Sequence, residues 1–185
     1  EIIFDRIELG TYLIAGALVG KKIILNKVNP LIIKTEIKIL KKMGVIMNVE
    51  KNRIIVFESK KLSSINIKTE TYPGFPTDLQ AQIMVLMSKA TGKSKVKESI
   101  FENRFMHVPE LRRMGAKINT KNNTAIITGP TNLSGAEVMA TDLRASVSLV
   151  LAALVASNRT VINRVYHLDR GYENLEKKLK RCKAN

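Results

Sequence analysis

Three segments of this chain are apolar almost all the way round, and an acidic residue opens each. Glu8 precedes Leu9-Gly10-Thr11-Tyr12-Leu13-Ile14, Asp78 precedes Leu79-Gln80-Ala81-Gln82, and Asp142 precedes Leu143-Arg144-Ala145-Ser146. A helix with no polar face has to be surrounded by protein. Three of them in one chain need covering elements on every side, and they are the nearest partners for one another. Their spacing is too long for a solenoid repeat and suits three copies of one supersecondary unit.

The middle copy is the clearest. Thr77 can cap a helix through its hydroxyl, and Asp78 sits well against the positive end of the helix dipole. A buried helix is expected from Leu79 to about Lys89, ending at Thr91-Gly92. A strand over Lys95–Ile100 and a helix over Phe105–Met114 come next, with Gly115 placed for a left-handed C-cap. Lys117–Asn119 and Ala125–Thr128 form a hairpin through Lys121-Asn122-Asn123. The first copy repeats this order as helix Thr11–Val19, strand Lys22–Asn26, helix Lys34–Met43 and a hairpin of Val45–Val49 with Arg53–Phe57. The third has helix Asp142–Ala156, strand Thr160–Val165 and helix Gly171–Arg181, but no closing hairpin.

Two units therefore read as complete in strands and the third as cut short, with a sheet edge left open. Their approximate limits are residues 1–58, 65–130 and 134–185. The polar stretch Glu58–Tyr72 reads as a surface connection, with a further strand at Ile65–Lys68. Alternating elements place the chain in the α/β class, with three helices inside and sheets outside.

Charge narrows the partners. Lys and Arg number 31 against 16 Asp and Glu, a net +15 that favours something anionic. Nucleic acid, an acidic membrane face and a phosphorylated small molecule all qualify. Aromatic residues make up 5% and Trp is absent, so the stacking surfaces of single-strand binders are scarce. The one cysteine, Cys182, excludes an internal disulfide and suits a reducing compartment. The start at Glu1 has neither a signal-peptide pattern nor a methionine, which raises the expectation of a fragment. The longest apolar run, Val147–Ala156, is too short to span a bilayer. The expectation is a soluble, cytoplasmic protein.

Few residues offer chemistry. Asp78 and Asp142 are carboxylates in first helical turns. Arg104 and Arg170 each precede a second helix, Lys34 holds the matching place in the first copy, and Arg144 lies beside Asp142. Guanidinium groups at equivalent places can converge on one anion and grip carboxylate or phosphate bidentately. Taken singly, each reads equally well as a surface ion pair. His107 falls in an expected helix and His167 in a strand-like run. No spacing of Cys, His and carboxylates matches a zinc site, and no glycine-rich nucleotide loop occurs.

Four stretches carry a family likeness. They are Tyr72-Pro73-Gly74-Phe75-Pro76-Thr77-Asp78-Leu79-Gln80-Ala81-Gln82, Ile100 to Leu111, Ser134 to Ser146, and Tyr166-His167-Leu168-Asp169-Arg170-Gly171-Tyr172-Glu173. In this order they resemble the carboxyl-terminal half of the UDP-N-acetylglucosamine enolpyruvyl transferases (1-carboxyvinyltransferases). The resemblance implies an inside-out α/β barrel of three βαβαββ units, the third incomplete here, as one of two similar domains. It implies transfer of the enolpyruvyl group of phosphoenolpyruvate to the sugar 3-hydroxyl with release of phosphate, the first committed step of peptidoglycan synthesis. The implied route is addition–elimination, with no metal and no organic cofactor.

By the same resemblance, Asp78 is the general base and Arg170 clamps phosphoenolpyruvate. Thr77 and Asp78 hold the sugar, the backbone of Ile100 touches the nucleotide, and Arg104, Asp142 and Arg144 shape the pocket. The family's amino-terminal Lys-Asn pair, its loop cysteine and a further arginine have no counterpart here, and Cys182 matches none of them. The chain alone is therefore expected not to turn over and to need the missing domain as its partner. Two alternatives remain: a shikimate-phosphate enolpyruvyl transferase, and a basic nucleic-acid-binding module. The Phe101–Leu111 motif weighs against the first, and no motif supports the second.

Overall fold

A computed structural model describes residues 3–181 of the chain. The helices are α1 (Arg6–Val19), α2 (Lys34–Lys42), α3 (Gln80–Lys89), α4 (Val108–Arg113), α5 (Val147–Val155), α6 (Tyr166–Asp169) and α7 (Leu175–Arg181). The strands are β1 (Ile23–Asn26), β2 (Met47–Val49), β3 (Arg53–Val56), β4 (Asn66–Lys68), β5 (Gly92–Lys97), β6 (Lys117–Lys121), β7 (Thr124–Gly129), β8 (Glu137–Met139) and β9 (Val161–Asn163).

The three all-apolar helices α1, α3 and α5 pack against one another. Leu13, Ile83, Leu86 and Leu149 lie at that junction with at most 1% of their surface exposed. Burying a side chain of this size stabilises the fold by roughly 1.5–3 kcal/mol relative to leaving it in water. Sheets cover the bundle, β3 lying on α1 and β7 on α3. Gly16 permits the first of these contacts, because a Cβ there would come within 2.3 Å of Val56 Cγ1. The Arg6 guanidinium meets Glu36 at 2.8 Å and donates to the Gly74 carbonyl, tying α2 to the start of α1 and to the loop before α3.

The sheets run in chain order. The first is β1-β3-β2, all antiparallel, with Ile24 opposite Ile55 and Asn48 opposite Ile55. The second is β4-β5-β7-β6, in which β4 lies parallel to β5 and β7 antiparallel to both its neighbours. The third is the parallel pair β8-β9. The second sheet thus has a strand, β4, whose counterpart beside β1 is missing among the described residues. Among the described residues, the first sheet thus has three strands where the second has four. The third sheet has no hairpin beyond β9 among those residues.

Other differences have local causes. Helix α1 begins at Arg6 rather than Thr11, because Asp5 Oδ1 accepts from the backbone N–H groups of Ile7 and Glu8 at 2.7 and 3.1 Å. The stretch 58–72 is less of a surface connection than its polarity suggested. Ser59, Leu62, Ile65, Ile67 and Thr69 are buried, and β4 sits within it. His167 lies in the short helix α6, with its ring 4.2 Å from that of Tyr166, and not in a strand. Cys182 lies outside the described residues. Among those residues, no helix is long and apolar enough to cross a membrane.

Candidate active site

The N-terminal ends of α1, α3 and α5 share one rim of the bundle, and the polar residues of all three units meet there. Asp78 sits in a 3-10 turn, Thr77–Leu79, that feeds α3. Its Oδ1 is 2.7 Å from Arg104 Nη2. Arg104 comes directly after Asn103, whose φ of 52° is a left-handed conformation that asparagine tolerates, and precedes α4. That turn swings the guanidinium back over the Phe101 ring at 5.4 Å and onto Asp78.

Thr77 does not cap α3. Its hydroxyl donates to Glu98 Oε2 at 2.8 Å. Glu98 is 1% exposed and is the hinge of this part of the rim. Its Oε1 also accepts from the Thr69 hydroxyl at 2.8 Å and from the backbone N–H groups of Ile100 and Phe101 at 2.9 and 3.2 Å. The N–H of Ile100 is therefore taken, and its carbonyl is the backbone group left to offer. Sequence reasoning missed Glu98, placing it inside the expected strand Lys95–Ile100. β5 ends at Lys97, and Glu98 turns inward to hold the backbone at Ile100 and Phe101.

In the third unit, Asp142 Oδ1 accepts from the N–H groups of Arg144 and Ala145 at 2.7 and 2.6 Å, and the Ser146 hydroxyl donates to the Asp142 carbonyl. This turn delays α5 to Val147. Arg144 reaches across to the first unit, its Nη2 lying 2.9 Å from Asp5 Oδ2 while Nη1 donates to the Gly171 carbonyl at 2.8 Å. Burial pushes the Asp5 carboxyl up, but the Glu8 and Ile7 N–H groups and Arg144 outweigh it and hold it below its ordinary value.

Tyr172 joins all three units. Its hydroxyl lies 3.0 Å from Thr11 Oγ1 and accepts from Gln82 Nε2 at 3.1 Å, while the Arg144 guanidinium covers its ring at 5.3 Å. Gln82 Nε2 also donates to the Asp78 carbonyl at 2.8 Å. Burial raises the Tyr172 pKa, so the phenol stays protonated. The chain Asp78–Gln82–Tyr172–Arg144–Gly171 leads to Arg170, which closes α6 on the exposed side. Among the described residues, the Arg170 side chain has no hydrogen-bond or ion-pair partner.

The structure thus brings Asp78 directly onto Arg104 and links that pair, through side chains, to Arg144 and the segment carrying Arg170. Thr77 and Ile100 share Glu98 beside it. A cleft of about 840 Å³ opens next to Ile100 and Ser99, with Lys38, Lys42 and Lys68 along it. Neither Asp78 nor Arg104 lines it, and the converging charges mark the site better than the cleft does. Among the described residues, no group of three or more His, Cys, Asp or Glu could hold a metal ion. The arrangement can accept a proton at Asp78 and hold an anion at the arginines.

His107 is the residue before α4. It is 1% exposed and neither ring nitrogen has a hydrogen-bond partner. Burial, then the positive field of Arg104, lowers its pKa to about 4, against an opposing pull from Asp142. In the unfolded chain it titrates near its ordinary 6.5. Between those values the unfolded state binds the extra proton, so stability falls as pH drops from about 6.5 to about 4. The full loss is on the order of 3 kcal/mol. Urea unfolding at a series of pH values should show this slope in the wild type and lose it in His107→Phe.

Comparisons with known proteins agree with one another. The family model described as EPSP synthase (3-phosphoshikimate 1-carboxyvinyltransferase) matches residues 1–179. The UDP-N-acetylglucosamine 1-carboxyvinyltransferase of Pelagibacter ubique is 61% identical over 180 residues, covering 97% of this chain and 43% of that protein. The enzyme of the same name from Granulibacter bethesdensis is 52% identical over 185 residues, covering 100% and 44%. Among solved structures, the enolpyruvyl transferase NikO from Streptomyces tendae superposes with a TM-score of 0.89 at 29% identity, over 98% of this chain and 43% of that one. An EPSP synthase from Acinetobacter baumannii shares the fold, with a TM-score of 0.77 at 18% identity, over 98% and 46%. The chain spans less than half the length of the curated relatives it matches.

Proposed function

This chain belongs to the EPSP synthase (3-phosphoshikimate 1-carboxyvinyltransferase) family, and on that premise we propose that it is the carboxyl-terminal half of a UDP-N-acetylglucosamine 1-carboxyvinyltransferase. The chain supplies one wall of a cleft in a cytoplasmic enzyme of peptidoglycan synthesis, and three βαβαββ-type units, each completed outside this chain where strands are missing, form an inside-out barrel. The 61% identity to the Pelagibacter ubique enzyme supports this choice of substrate over shikimate 3-phosphate. The observation that carries the chemistry is the 2.7 Å contact of Asp78 with Arg104 on a rim that also gathers Arg144 and Arg170.

Asp78 accepts the proton of the sugar 3-hydroxyl as its oxygen bonds to C2 of phosphoenolpyruvate, and C3 takes a proton from a donor outside this chain. Phosphate then leaves C2, C3 gives up a proton, and the carbon–carbon double bond returns. Thr77, fixed by Glu98, and the carbonyl of Ile100 orient the sugar nucleotide. Arg170, without a partner among the described residues, takes the carboxylate or phosphate of phosphoenolpyruvate. Arg104 and Arg144 stabilise the charge that moves onto the leaving phosphate, and Asp142 holds the turn that aims Arg144. All the reactants are anionic, which accounts for the cationic rim.

The test is to produce the remaining half separately, mix it with this chain and monitor phosphate release from phosphoenolpyruvate. The expected result is no turnover by either half and turnover by the mixture that depends on UDP-N-acetylglucosamine. Turnover by this chain alone, or a mixture that prefers shikimate 3-phosphate, would overturn the proposal.

A further inference from the structure

A groove between one unit's second helix and the next unit's first strand occurs twice, on the same frame. After α4, the Met114 N–H donates to the Glu110 carbonyl and the Ser134 N–H to the Met114 carbonyl. After α2, Met43 donates to Ile39 and Ser63 to Met43 in the same way. Gly115 and Gly44 follow the two helices with φ of 93° and 96°. The strands beyond them also correspond. The Lys95 N–H donates to the Ile65 carbonyl and the Thr69 N–H to Lys97, as Val161 does to Ala136 and Ala140 to Asn163. Ile39 therefore stands where Glu110 stands, and Lys68 stands where Met139 stands.

The two grooves differ in what the helix offers. In a parallel pair, successive residues turn their backbone groups to opposite sides. Ile65 and Thr69 face β5, so Asn66 and Lys68 turn theirs toward the cleft beside α2. In the other groove the outward N–H of Met139 is taken by Glu110 Oε2 at 3.0 Å. Here the helix presents Ile39, which cannot accept, and the Lys68 N–H meets no acceptor among the described residues. Lys38 and Lys42, one turn apart on α2, line the same cleft and have no ion-pair partner among those residues. Glu70, the carboxylate among the lining residues, is held by Lys68 Nζ at 3.1 Å.

We propose that the groove between α2 and β4 is a docking site for an extended acidic segment of a partner protein, which adds to β4 as a further strand. Its main chain accepts from the Lys68 N–H and donates to the outward carbonyls of Asn66 and Lys68, while its acidic side chains meet Lys38 and Lys42. Strand addition of this kind draws affinity from main-chain bonds and specificity from the side chains between them. A short edge bearing lysine also guards against pairing with its own kind. The chain carries a net +15, so a second copy is repelled from the groove and an acidic segment is drawn in. A nucleic acid matches the charge, but its phosphates have no N–H to give the outward carbonyls.

The docking site does not depend on the reaction, and the whole chain is the reagent. The probe is an end-blocked, fluorescein-labelled peptide that alternates Val and Glu, followed by fluorescence anisotropy and by ¹⁵N–¹H spectra of the chain. Saturable binding that shifts the Asn66 and Lys68 amide signals is the expected result. Lys38→Ala combined with Lys42→Ala should weaken it at least about tenfold. Ile39→Glu should do the same, by turning a carboxylate of α2 onto the Lys68 N–H as Glu110 does at Met139. No saturable binding overturns the proposal, as does unchanged affinity in a folded variant of either kind; should the Glu variant not fold, the double Ala variant decides. A probe with alternate amides N-methylated should bind at least about tenfold more weakly, and equal binding means charge attraction alone and overturns strand addition. Tighter binding of an equally charged oligothymidylate, or a concentration-dependent dimer, with the same amide shifts would assign the groove to a nucleic acid or to a second copy, and would overturn the proposal too.

Discussion

Asp78→Asn, introduced into the two-half enzyme, should lower kcat by about 10²–10⁴-fold, the usual range for losing a general base. Asparagine matches aspartate in shape but cannot take the proton of a sugar hydroxyl. The fold should not suffer. The Asp78 side chain is 38% exposed and its contact with Arg104 is a solvent-screened pair, so the unfolding midpoint should stay within the scatter of surface substitutions. KM for phosphoenolpyruvate should move far less than kcat, since the arginines remain. Asp142→Asn provides the contrast, because that side chain braces the turn ahead of α5 instead of facing the proton in flight. A kcat for Asp78→Asn within a few-fold of wild type would remove Asp78 from the chemistry.

Glu98→Ala should be the most damaging single change to stability at the rim, costing ~3–5 kcal/mol in urea unfolding. Four donors lose their acceptor at once: the Thr69 and Thr77 hydroxyls and the N–H groups of Ile100 and Phe101. The site is 1% exposed, so water does not readily replace the carboxylate. Glu98→Gln keeps the volume and one acceptor oxygen, and should lose roughly half as much because its amide nitrogen faces a donor. Glu102→Ala, on an exposed neighbour, is the control and should fall within about 0.5 kcal/mol of wild type. A loss below about 1 kcal/mol for Glu98→Ala would mean that Thr77 and Ile100 are held by something else. Because Glu98 touches both, the Ala variant should also weaken sugar-nucleotide binding in the assembled enzyme.

The interior was the easiest part to read. Segments such as Ile83–Met87 and Val147–Leu154 are apolar in every direction, and that pattern has few resting places other than the middle of a protein. The hairpin of β6 and β7 was equally open to view, because Asn122 takes a φ of 51° at its tip, as turn asparagines do. Helix starts were harder to place. Whether α1 begins at Arg6 or Thr11 depends on which side-chain oxygen reaches the first free N–H groups, and Asp5 settles it through contacts that sequence spacing does not reveal. The same applies to α5, where the turn made by Asp142 and Ser146 takes residues that the apolar pattern assigned to helix. Asp78 and Arg104, 26 positions apart, could be nominated from sequence only as matched charges and by resemblance; their contact comes from the turn at Asn103. Glu98 gave no signal at all, since one acid after Lys97 looks like any other surface charge until its four donors are in place. The missing strand beside β1 was hidden for another reason: a sheet's membership depends on neighbours that are distant in the chain.

Tyr172 carries a thermodynamic corollary. One phenol touches Thr11, Gln82 and Arg144, contributed by three different repeats, and none of those three can be altered without moving the reference state of the others. Energies from separate substitutions around it should not sum, despite separations of about sixty residues or more along the chain. A change at any one of these contacts is thereby felt at the other two, and α1, α3 and the turn before α5 respond as one cooperative block.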